Sequence, residues 1–183
     1  MDALLIDPVL ARACGSALAV ILLLGAWQKL RDMAVFEAAV ELYRLLPDRM
    51  VPLFARALPM LEAAAGAALL LESTRGIGLV LALVVLGIST GGVLINLLRG
   101  HTDIDCGCGG ADGNTRLSWA LPVRNAVLML LAVAGAQAGL ARPLVWVDFI
   151  TVAGGTLALL GIYAAGNQLL ANHPRLMQLR NGS

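Results

Sequence analysis

The residues with the most chemistry in this chain lie in "HTDIDCGCGG", residues 101–110, where Cys106 and Cys108 are separated only by Gly107. Joining sulfurs one residue apart closes a very small ring. The poor bond geometry this imposes makes a disulfide easier to reduce and more oxidising toward other thiols. Gly107, Gly109 and Gly110 accept the backbone angles such a ring demands and leave the sulfurs open to a partner. Asp103 and Asp105 work the other way, because nearby negative charge disfavours the thiolate. Reversible thiol–disulfide exchange is the reading this spacing favours. Two others stay open: structural or incidental thiols, or a metal held with help from His101, Asp103 or Asp105. The spacing fits no common metal pattern, and no metal is expected.

Those cysteines sit in an unusually apolar chain. Of 183 residues, 59% are hydrophobic and 14% charged, with a mean hydropathy of +0.82. A soluble domain needs roughly a quarter of its residues charged, so lipid is the expected solvent. The net charge of +1 gives no footprint for nucleic acid or an acidic partner. The N-terminal MDALLIDPVL carries acids rather than a basic n-region, so the first apolar run is expected to stay as an anchor.

A helix crosses a bilayer in about 20 residues. On that length the chain reads as one all-α membrane bundle over 1–183, with spans near 9–28, 57–74, 77–98, 121–141 and 145–170. The cysteine loop is then 99–120. Between the first two spans, Val35, Phe36, Ala39, Val40 and Tyr43 recur at helical spacing against Glu37, Glu41 and Arg44. That pattern predicts a short amphipathic helix in the interface, ended by Pro47. Gly15, Ser16 and Ala19, residues 63–68, Gly87, Gly91, Gly92, Gly154 and Gly155 predict close helix packing.

Within the spans, ionisable groups draw attention because lipid makes them expensive. Glu62 is expected early in the second span, and Arg124 and Asn125 open the fourth on the same side. A Glu62–Arg124 ion pair at the membrane edge of the cysteine site is the expected arrangement. Lys29 reads as the anchor ending the first span, Asn96 as a partner of another helix, and His101 as a solvated loop residue. Cys14, about 30 Å from the pair across the bilayer, reads as a buried small residue. Sidedness is contested. Of the 13 basic residues, Arg12, Arg75 and Arg142 fall on one face and the rest on the face with Cys106 and Cys108. The positive-inside rule puts that loop in the cytoplasm, whereas stable disulfides belong outside it.

"LPMLEAAAGAALLL", "DCGCGG" and "LSWALPVRNAVLMLLA", in that order, resemble the methylamine utilisation protein MauE family, a relative of the DoxX-like membrane proteins. The likeness covers roughly residues 10–165. It departs at Gly109, where the family usually carries an aromatic. The resemblance implies a multi-pass protein of the bacterial inner membrane. Its implied role is maturation of the disulfide-rich small subunit of methylamine dehydrogenase: processing, transport or disulfide formation. A thioredoxin-like, membrane-tethered MauD-type protein is the implied partner. Cys106 and Cys108 would exchange electrons with that partner's dithiol, in the manner of the membrane oxidoreductase DsbB, with Glu62, Arg124, Asn125 and Gly107 in support. A quinone is the electron acceptor such chemistry would allow, although no quinone motif is readable. The alternative is a non-enzymatic scaffold or export component of the same pathway.

Overall fold

The computed structural model describes residues 7–102, 104, 106, 117–136 and 145–181. Among these it is entirely helical: α1 (Pro8–Arg31), α2 (Met33–Leu42), α3 (Val51–Leu70), α4 (Arg75–Leu98), α5 (Ala120–Ala136) and α6 (Trp146–Asn181), with two short 3-10 turns. The helix starts follow from local chemistry. The Asp7 carboxylate accepts from the N–H of Val9 at 2.8 Å, and Pro8 supplies the fixed φ suited to a first turn. Pro52 does the same for α3.

Four helical stretches among the described residues are long and apolar enough to cross a membrane: Pro8–Arg31, Asp48–Leu70, Glu72–Leu98 and Trp146–Leu170. At 17 residues, α5 is about 26 Å long, a little under the roughly 30 Å of a hydrocarbon core. The rest of the expected 121–141 span lies outside the described residues. The chain expected to leave the last span near 170 instead stays helical to Asn181.

α1 is the centre of the bundle, packing on α3, α5 and α6, while α4 closes against α3 and α5. Leu18, Leu22, Ala65, Ala82, Leu86 and Leu128 form the core where these helices meet. Close approach is real at Gly135: a Cβ there would lie 3.1 Å from the backbone nitrogen of Gly15. That is the small-residue packing that lipid-embedded helices rely on. Gly87, Gly91 and Gly154 differ, with nothing within 4 Å of an added Cβ. At the end where α1 begins and α3 finishes, Glu72 receives Arg12 at 3.0 Å and Arg75 at 3.3 Å, an exposed cluster of the kind charges make at a headgroup boundary.

The amphipathic helix exists, but its apolar face does not simply rest on a surface. Phe36 and Ala39 of α2 are buried, and Phe36 packs with Ala55, Leu58 and Val85 of α3 and α4. α1 ends beside this helix, one residue away in sequence, so α2 folds back as a wall of the bundle interior. It ends at Leu42, before the expected Pro47, and the chain turns at Arg44, whose φ of 48° is left-handed.

Candidate functional site

Cys106 is reached from the end of α4. Gly100, at φ +80°, takes the left-handed position just past the helix, a conformation glycine adopts without steric cost. The N–H of His101 then returns to the Asn96 carbonyl at 3.0 Å. The His101 ring nitrogen Nδ1 meets Asn96 Oδ1 at 3.3 Å. Asn96 also donates to the Gly92 carbonyl of its own helix at 3.1 Å. Its contacts are therefore to α4 and to the following loop, and His101, though exposed, has a partner.

The base of the loop is clasped by the N–H of Leu117 donating to the Ile104 carbonyl at 3.0 Å. Inside that clasp the Cys106 side chain is buried with Val93, Leu97, Leu117 and Leu121, and it is disulfide-bonded. The Tyr43 hydroxyl donates to the Cys106 carbonyl at 3.3 Å. The Tyr43 ring lies over Gly92 of α4, where a Cβ would be 3.4 Å from it, in ordinary van der Waals contact. The expectations for Gly107 and Cys108 lie outside the described residues. Cys14 is buried and free, as expected for a packing residue.

Glu62 has a different partner from the one expected. α3 begins at Val51, so Glu62 falls in mid-helix rather than near an end. Its Oε2 accepts from Lys29 Nζ at 2.5 Å, both side chains 9% exposed. Lys29 is thus no interfacial anchor: α2 folds over it, and Nζ sits 5.7 Å from the centre of the Phe36 ring, within cation–π range. Gly25, one turn earlier on α1, leaves room for the carboxylate, since a Cβ there would come within 3.3 Å of Oε1. The Glu62–Arg124 pair does not form, because Lys29 reaches the carboxylate first.

Arg124 instead turns to α6 and to its neighbour. Its guanidinium donates to Asn167 Oδ1 at 3.1 Å and to Asn125 Oδ1 at 3.4 Å. Asn125 Nδ2 donates to Thr90 Oγ1 at 3.0 Å, and Thr90 donates to the Leu86 carbonyl at 2.6 Å. The result is one continuous donor-to-acceptor chain joining α6, α5 and α4. Such a network is favourable in low dielectric only while its members stay paired.

These pieces surround a single cavity of about 690 Å³. Its lining includes Cys106, Lys29, Glu62, Arg124, Asn125 and Tyr43, against apolar walls from α1, α3, α4, α5 and α6. That volume is in the usual range of about 300–1,000 Å³ for small-molecule sites. The predicted residues Cys106, Glu62, Arg124 and Asn125 therefore line shared space, without the foreseen Glu62–Arg124 contact. Lys29, Tyr43, Thr90 and Asn167 were not singled out for this site. A lone cation ending an apolar run looks like an anchor, and only the position of α2 reveals that Lys29 is enclosed. No group of three or more potential metal-ligating side chains occurs among the described residues.

A helical bundle with four helices able to cross a membrane, enclosing a polar-headed cavity beside a bonded cysteine, is the architecture of a multi-pass membrane protein. The family model described as "Methylamine utilisation protein MauE" matches residues 7–138, and the chain belongs to that family. It is 36% identical to the "Methylamine utilization protein MauE" of Paracoccus versutus over 178 residues, covering 95% of this chain and 96% of that protein. The protein of the same name from Methylorubrum extorquens is 35% identical over 172 residues, 92% of this chain and 86% of its own length. That of Paracoccus denitrificans is 36% identical over 130 residues, 71% of this chain and 70% of its own. No solved structure matches the chain.

Proposed function

We propose that this protein acts in the bacterial inner membrane as a maturation factor for methylamine dehydrogenase, forming disulfides through Cys106 and Cys108. The observation that carries the reading is Cys106 itself. It is disulfide-bonded in the wall of a cavity shared with Glu62, Arg124 and Asn125, in a chain of the methylamine utilisation family.

In this reading α5 and the residues after it make a fifth crossing, and loop 99–120 meets its partner at the membrane edge. A thiolate of a thioredoxin-like, membrane-tethered MauD-type protein attacks one sulfur of the Cys106–Cys108 bond. A mixed disulfide forms, and the partner's second thiol resolves it. The partner leaves oxidised, able to bridge the dehydrogenase small subunit, and Cys106 and Cys108 are left as thiols. Glu62, Arg124 and Asn125 hold the helices around the pair, and Gly107 lets the two sulfurs meet.

The test is a Cys106→Ser, Cys108→Ser double variant in a host that must grow on methylamine. Growth is expected to fail, with the small subunit produced but incorrectly bridged. Normal growth with a correctly bridged subunit would end the proposal.

A further inference from the structure

We propose that the 690 Å³ cavity binds a lipid-soluble quinone, which takes the electrons that the cysteine pair collects. This rests on the thiol–disulfide reading above and names its terminal oxidant. Each turnover leaves two thiols that must lose two electrons and two protons before the next. In the balanced step, two S–H bonds break, the S–S bond forms, and the quinone's two carbonyl oxygens each gain a hydrogen to give the hydroquinone.

Three features of the cavity suit that carrier. First, Cys106 is part of the wall, so the oxidant can lie beside it. Second, exposed apolar side chains form part of the cavity's lining. Leu24, Ile88 and Ile95 line it while remaining 55%, 43% and 42% exposed, and the exposed apolar surface of a membrane helix faces lipid. A hydrophobic carrier can therefore enter sideways. Third, Arg124 lines the cavity, its guanidinium held by Asn167 and Asn125. The charge on a quinone carbonyl grows on reduction, and a guanidinium donor in the same wall would stabilise it. Around this donor the walls are largely aliphatic, from Leu22, Leu86 and Leu128 among others, as a quinone's tail needs.

The experiment uses the full-length protein in nanodiscs, reduced, freed of reductant and mixed anaerobically with decylubiquinone. One quinone is expected to be reduced per pair of thiols lost. In parallel, glutathione disulfide oxidises the same thiols from water. Arg124→Gln and Ala164→Trp, the latter placing an indole at the exposed rim, should lower the rate with quinone relative to that with glutathione disulfide. About tenfold is expected for the loss of one charge-assisted hydrogen bond. Oxidation by glutathione disulfide without quinone reduction would overturn the quinone site and leave the disulfide chemistry standing. So would a quinone rate unchanged in both variants, or a cavity found by mass spectrometry to hold only phospholipid. Thiols that neither oxidant can join would overturn both readings.

Discussion

Lys29 and Glu62, 33 positions apart in sequence, form a buried ion pair between α1 and α3, with the centre of the Phe36 ring of α2 5.7 Å from the ammonium. Three helices thus converge on one charge. Removing either member leaves the other charge buried alone, at a cost of about 3–5 kcal/mol. Lys29→Ala and Glu62→Ala should each lower the thermal unfolding temperature in detergent sharply. Replacing both with methionine should recover most of the loss, since an apolar pair of similar volume has no charge to desolvate. A double variant no more stable than the singles would contradict this assignment.

The chain from Arg124 through Asn125 to Thr90 makes a prediction about coupling. Asn125→Ala removes one acceptor from the guanidinium and the donor to Thr90 Oγ1, two hydrogen bonds whose loss should cost about 1–3 kcal/mol. Because Thr90→Val disturbs the same network, the two losses should not add. A double-mutant cycle by unfolding in detergent should return a coupling of about 0.5–3 kcal/mol. Strict additivity would mean that the hydrogen bonds drawn here contribute nothing jointly.

Two glycines that look alike in sequence should respond oppositely. Gly135→Val would drive side-chain atoms into the Gly15 backbone, 3.1–3.2 Å from the first added carbon, with an overpacking cost of about 1–3 kcal/mol. Gly87→Ala meets nothing within 4 Å and should be neutral or slightly stabilising, as alanine is the better helix former by about 1 kcal/mol. Equal effects at both positions would mean that α1 and α5 do not cross where described.

Sidedness is the fourth prediction. A disulfide-bonded Cys106 fits the oxidising side of the membrane, and this chemical constraint outranks a statistical bias in arginine placement. After mild reduction of intact spheroplasts, a membrane-impermeant maleimide should label Cys106 and Cys108 in a Cys14→Ala background. Labelling seen only in inverted vesicles would place the loop in the cytoplasm and demand a different route for the electrons.

Much of the fold was legible because lipid-spanning helices need long apolar runs, and such runs are visible without knowing their neighbours. The runs around Leu18, Leu86 and Leu128 gave α1, α4 and α5. The start of α3 was hidden by Pro52, Arg56 and Pro59, which interrupt the apolar pattern although Pro52 is well placed in a first helical turn. At the site, residue types were legible and pairings were not. Glu62 and Arg124 do line one cavity, but each found a nearer partner, Lys29 and Asn167. Those partners depend on α2 doubling back over the end of α1 and on the approach of α6 to α5. Neither relationship leaves a periodic mark in the sequence.

The Tyr43 hydroxyl holds residue 106 by its main-chain oxygen, and the clasp between Leu117 and Ile104 is likewise backbone to backbone. Neither attachment depends on what side chain position 106 carries. Exchanging its sulfur for oxygen removes the disulfide and puts a hydroxyl among Val93, Leu97, Leu117 and Leu121, yet both backbone attachments should survive, so that a serine variant keeps the peptide tethered while losing its electron chemistry.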